Sequence, residues 1–248
     1  MGHRFELAQE GVVQASPEQV WDAIATGPGW DSWFMGRNEI EPRVGGTVSF
    51  SIGDFTATST VKTYDPPRRF VSESEHAPVG ELHSFDYALE EEGGGTRIKY
   101  VHSGMLGDDW EAEYEGMSEG DPMYFAKLLE YVTHFPGRFA APIDAHGPNA
   151  GDDPGTAMAA FRGALGVDDD VKEGDRVRLT PQGLDPIDGI VDCVSTNFLG
   201  VRTEDGIYRF IRGFDGTTLV GHHLFAPGVD QQRAEAEWAS WLGRVFAP

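Results

Sequence analysis

The chain has 248 residues, 40% hydrophobic and 24% charged, enough for one large or two average domains with a buried core and unlike a disordered polymer. Its 19 basic and 41 acidic residues leave a formal net charge of −22, a surface that repels phosphate backbones and anionic lipid and so argues against nucleic-acid or membrane partners. Cys193, the single cysteine, allows no intramolecular disulfide, no apolar run is long enough to span a bilayer, and the N-terminus lacks a signal-peptide pattern, so a cytoplasmic protein is expected.

The first expected element is a strand at 5–13. Ser16-Pro17-Glu18-Gln19 then reads as a helix start, with Ser16 as N-cap, Pro17 where its missing N–H costs nothing, and Gln19 closing a capping box. Val20, Trp21 and Ile24 form the apolar stripe, Gly27-Pro28-Gly29 ends it, and a turn with Trp30, Trp33 and Phe34 follows. From Gly45 to Gly104 the period is two, through Val48, Phe50 and Ile52, then Phe55 to Val61, Phe70–Ser74, His83 to Leu89, and Ile98 to His102. Such alternation predicts an antiparallel sheet covered on one face. Its expected turns are Gly53-Asp54, Asp65-Pro66-Pro67 and Glu92-Gly93-Gly94-Gly95. The segment 107–121 holds seven acids and no Lys or Arg, and reads as a solvated loop over a pocket mouth. Asp121 is expected to cap a long helix from Pro122 to Phe135, striped by Phe125, Leu128, Leu129 and Val132.

Proline- and glycine-rich residues 141–154 read as a linker between a domain at 1–140 and another at 155–248, both acidic. The second half is expected to repeat the first in shortened form. A helix at 156–165 precedes strands at 176–180, 187–194, 198–203, 207–213 and 217–225, and a helix from Asp230 carries Trp238, Trp241, Leu242 and Val245. No counterpart of the 5–13 strand is evident. The fold class is therefore α+β: a curved antiparallel sheet wrapped around a long C-terminal helix, followed by a shortened second α+β copy.

The strand at 5–13, Ala15-Ser16-Pro17-Glu18-Gln19-Val20-Trp21, the Trp30…Trp33-Phe34 cluster, Gly45-Gly46, the strand run and the 122–135 helix resemble the SRPBCC (START/Bet v 1-like) superfamily over roughly residues 4–138. Within it they are similar to the group named for activators of the heat-shock-protein-ninety ATPase. The resemblance implies a helix-grip fold with an apolar cavity between sheet and helix, and does not imply one activity. Co-chaperones of that group carry a different client-binding domain ahead of the grip domain, whereas here the grip pattern starts near residue 4, so ATPase activation is not expected.

Strand parity places His83, Phe85, Tyr87, Tyr100 and His102 on the face that meets the helix. The expected ligand-binding set is Trp33, Phe34, Phe50, Phe85, Tyr87, Tyr100, His102, Tyr124, Phe125 and Leu128, holding an aromatic or acyl metabolite. The same tyrosines and histidines also read as core residues whose polar tips reach backbone or water. A cyclase- or hydrolase-type enzyme would use His102 with Tyr87 or Tyr100, although no inward Asp or Glu is seen to orient the histidine. A third reading is a co-chaperone-like protein-interaction module that recognises a basic partner; no motif points to a homodimer. No metal or cofactor is expected: His222 and His223 point to opposite strand faces, and the glycines at 93–95 lack the lysine of a phosphate loop.

Overall fold

The computed structural model describes residues 2–53, 55–76, 81–108, 110–151 and 153–247; Asp54 of the expected Gly53-Asp54 turn and Asp109 of the acidic segment lie outside them. It divides into two units, residues 1–139 and 140–248.

The first unit runs β1 (His3–Val13), α1 (Pro17–Ala25), α2 (Gly27–Trp30), β2 (Arg37–Ile40), β3 (Thr47–Ile52), β4 (Phe55–Asp65), β5 (Arg69–His76), β6 (Glu81–Glu92), β7 (Gly95–Leu106) and α3 (Trp110–His134). The strands form one antiparallel sheet in the order β1-β7-β6-β5-β4-β3-β2. The expected capping box is present: Gln19 N–H donates to Ser16 Oγ, and Ser16 N–H donates to Gln19 Oε1 at 2.9 Å. At Gly29 a β-carbon would collide with the Asp22 carbonyl, so only glycine lets α2 fold back onto α1. The indoles of Trp30 and Trp33 then donate to the carbonyls of Ile24 and Ala23, at 2.6 and 3.0 Å, satisfying acceptors that the end of α1 leaves open. Gly93 and Gly94, both at positive φ, make the two-residue turn that pairs β6 with β7. Phe5, Ile24, Phe70, Ile98, Leu128, Val132 and Phe135 are buried between the sheet and α1 and α3. Each buried side chain of this size contributes about 1.5–3 kcal/mol.

Two expectations are corrected here. The acidic segment is not a loop capped by Asp121: α3 begins at Trp110, and Pro122 lies inside it. Trp110 stacks on His3 with ring centroids 4.7 Å apart, and Glu113, Met117, Asp121, Tyr124 and Leu128 recur at helical spacing on one face. Pro122 removes the N–H that would reach Ser118 and its ring crowds that carbonyl, costs that packing on the sheet offsets. β2, unforeseen, pairs with β3 at the sheet edge.

The second unit runs β8 (Ala141–Asn149), α4 (Pro154–Leu165), β9 (Arg176–Leu179), β10 (Ile187–Val194), β11 (Phe198–Arg202), β12 (Gly206–Arg212), β13 (Thr217–Leu224) and α5 (Gln231–Val245), with sheet order β8-β13-β12-β11-β10-β9. The stretch expected as a linker at 141–154 is thus β8 and the start of α4, which Asp153 caps. It also supplies the element that the second half was expected to lack: β8 pairs with the last strand of its sheet, as β1 does in the first unit. Pro142 and Pro148 cannot donate to a ladder, and β8, at the sheet edge, does not need them to. The topology repeats with one strand fewer.

Between α5 and this sheet the interior is filled by rings. Phe161 stacks on Trp241 at 6.1 Å, Phe210 meets Trp238 at 5.7 Å, and Trp238 and Trp241 are 5.4 Å apart. Next to Phe210 on β12, Arg209, fully buried, makes a two-pronged bond to Asp192, each arm 2.9 Å.

Candidate functional site

Beneath α3 in the first unit lies a cavity of about 370 Å3. Its walls come from the inner faces of β3 to β7, from the Trp30–Phe34 segment, and from the α3 face running Glu113, Met117, Asp121, Tyr124, Phe125 and Leu128. All ten residues singled out from the sequence, Trp33, Phe34, Phe50, Phe85, Tyr87, Tyr100, His102, Tyr124, Phe125 and Leu128, line it. Trp21 does not; it is a core anchor against Tyr64 and Phe70. Trp33, only 1% exposed, forms buried wall and not the cavity rim.

The rings cluster on one side. Phe34 packs on Tyr124 at 4.9 Å and on Phe50 at 5.8 Å, and Trp33 reaches Phe34 at 5.4 Å. Across β6 and β7, Phe85 stacks on His102 at 4.3 Å and Tyr87 on Tyr100 at 4.7 Å. The β6–β7 register sets both pairs directly opposite one another, where cross-strand side chains approach most closely.

The polar side contains groups that sequence reasoning missed. His102 Nδ1 lies 2.8 Å from Asp121 Oδ2, and His102 Nε2 lies 3.0 Å from His83 Nδ1. His83 Nε2 is in turn 3.4 Å from Glu113 Oε1. This corrects the expectation that no carboxylate orients His102: Asp121 does, while Glu113 faces the neighbouring His83, and both carboxylates reside in the stretch expected to be loop. Only a helical reading of 110–121 could have brought them inward, and the spacing of Glu113, Met117 and Asp121 was the available signal.

Protons on Nδ1 of both rings satisfy the two shorter bonds with both imidazoles neutral. A further proton on His83 Nε2 would face Glu113. Both His102 nitrogens are engaged within this chain, so the charged group that this corner of the lining leaves to a ligand is the Asp121 carboxylate. Burial, reinforced by the charge of Asp121, pushes the Tyr87 and Tyr100 phenols above their ordinary range; the two hydrogen bond to each other and stay protonated donors. Ser72, 1% exposed on β5, is in the lining, and its buried hydroxyl has no hydrogen-bond partner among the described residues. Glu81, Glu113 and Asp121 are in the lining and, among the described residues, no Lys or Arg is. Also among these residues, no helix is long and apolar enough to cross a membrane.

No curated protein matches the chain. Solved structures of similar fold include protein MLL2253 from Mesorhizobium loti, at 22% identity over 51% of this chain and 95% of that one with a TM-score of 0.45. The Aha1 dimer from Colwellia psychrerythraea follows at 20% identity, 52% and 96% coverage and 0.43. CalU16 from Micromonospora echinospora has 20% identity, 53% and 77% coverage and 0.41. The family model described as "Activator of Hsp90 ATPase homolog 1-like protein" matches residues 14–133, from the turn before α1 almost to the end of α3. Over these residues, all within its first unit, the chain is similar to the activator-of-Hsp90-ATPase-homologue-like group.

Proposed function

We propose that the first unit binds a small apolar ligand, aromatic or acyl, between the Phe125–Val132 face of α3 and the sheet face carrying Phe50, Phe85 and Tyr100. The observation that carries this reading is the ring-lined cavity of about 370 Å3, which falls within the range of small-molecule sites. Removing apolar ligand surface from water at about 25 cal/mol per Å2 provides affinity without a reacting group. The test is thermal shift against fatty acids, flavonoids, polyketides and aromatic amines. A ligand at about 100 times its Kd adds roughly 2.7 kcal/mol to the stability of the folded state, so a true ligand raises Tm measurably; a silent panel rejects the reading.

A second reading, an acid–base enzyme, is favoured by the 2.8 Å contact between His102 and Asp121. With both His102 nitrogens engaged, the group presented to a substrate would be Asp121, with His102 as its positioning residue and Tyr87 or Tyr100 as proton donor. His102→Phe is expected to leave ligand affinity within about threefold and to lower any turnover by about 100-fold or more. If turnover survives the change, the enzyme reading fails and the binding reading stands.

A further inference from the structure

We infer that the cavity selects ligands carrying an amine and rejects those carrying a carboxylate, with Asp121 as the ligand's counter-ion. The inference rests on the ligand-binding reading above and narrows its chemistry. A carboxylate entering a buried site loses water and needs a cation or several donors in exchange. The cavity lining holds three carboxylates, Glu81, Glu113 and Asp121, and among the described residues no Lys or Arg. The two imidazoles do not fill that role. His102 gives Nδ1 to Asp121 and Nε2 to His83, and the outer nitrogen of His83 faces Glu113. Lys127, the buried cation of α3, lies 5.9 Å from the centroid of the Tyr124 ring and is not in the lining.

An ammonium group meets the opposite situation. The Asp121 carboxylate, held at Oδ2 by His102, is part of the cavity lining, and so is Ser72, whose buried hydroxyl has no hydrogen-bond partner among the described residues. Tyr124 lies one helical turn from Asp121 and joins Phe34, Phe50 and Trp33 in the ring cluster, which offers aromatic faces both to a ligand ring and to a cation. The overall charge of −22 draws cations toward the protein and repels anions. The ligand class is therefore an aromatic amine whose ring occupies the cluster and whose nitrogen donates to Asp121.

Three probes that share one skeleton separate the possibilities: tryptamine, tryptophol and indole-3-acetate, titrated by calorimetry into the full chain and into Asp121→Asn. Tryptamine is expected to bind at least about tenfold more tightly than indole-3-acetate, with tryptophol between them. In Asp121→Asn the tryptamine affinity is expected to drop about tenfold while tryptophol changes less than about twofold, which also reports that the cavity is intact. Should Asp121→Asn fail to fold, Glu113→Gln replaces it, with a smaller loss for tryptamine expected. Indole-3-acetate binding as tightly as tryptamine, with tryptophol still bound, overturns the inference and leaves the binding reading standing. An amine preference that survives both substitutions comes from surface charge and also overturns it. Failure of all three probes overturns the inference, and together with a silent wider panel rejects the binding reading too.

Discussion

Ala57→Trp is expected to reduce ligand affinity by at least about 100-fold while leaving the fold intact. Ala57 sits on β4 in the cavity wall and is half-buried, so an indole added there enters empty space instead of packed core. Overpacking a dense interior costs about 1–3 kcal/mol, whereas here the added ring takes the volume the ligand would use. Two orders of magnitude correspond to about 2.7 kcal/mol, the share of apolar contact that such a ring displaces. The comparison is the Kd of one stabilising ligand on the two proteins, with Tm of the free proteins alongside. Undiminished affinity for Ala57→Trp would place the ligand elsewhere.

The second large effect concerns the second unit. Asp192→Ala leaves the Arg209 guanidinium buried without its counter-ion, and breaking a buried pair from one side costs about 3–5 kcal/mol. Arg209 is fully buried and both arms of its fork reach Asp192, so no rearrangement on the surface can rehydrate it. Hydrogen exchange at the amides of β10 to β12 should accelerate by about 100-fold or more, and replacing both residues together by apolar ones of similar volume should recover most of the loss. Exchange rates unchanged in Asp192→Ala would mean that the pair does not hold these strands.

Much of this architecture was legible in the chain. Alternation through Phe50, Phe85, Tyr87, Tyr100 and His102 put those rings on one sheet face, because strand side chains alternate strictly and one face had to be apolar. The Ser16 capping box and the glycine pair at the β6–β7 turn carry their geometry in four residues each. What stayed hidden was hidden for physical reasons. The first half of α3 turns Glu113 and Asp121 toward the cavity, so its inward face is polar and its apolar stripe is too faint to read as a helix. Pro122, which usually opens helices, suggested a start where the helix only continues. β8 has two prolines and a glycine that punctuate it like a linker, and only the ladder to β13 reveals a strand. Both concealed elements matter. One supplies the carboxylates of the candidate site, and the other completes the second unit's sheet.

The same contrast explains why two units of one topology differ. In the first, α3 meets the sheet through Tyr124, Asp121 and Met117 and leaves room beneath. In the second, Trp238 and Trp241 of α5 reach Phe161 and Phe210 and fill the corresponding space. A cavity survives where the helix offers polar and medium-sized side chains, and closes where it offers indoles.

The most direct measurement is the set of intermolecular nuclear Overhauser effects between a bound ligand, tryptamine or the strongest stabiliser found, and the labelled protein. Cross-peaks from the ligand to the Leu128 methyls and to the Tyr100 and Phe34 rings are expected. Saturable binding whose cross-peaks all fall on residues outside the space beneath α3 would contradict the account.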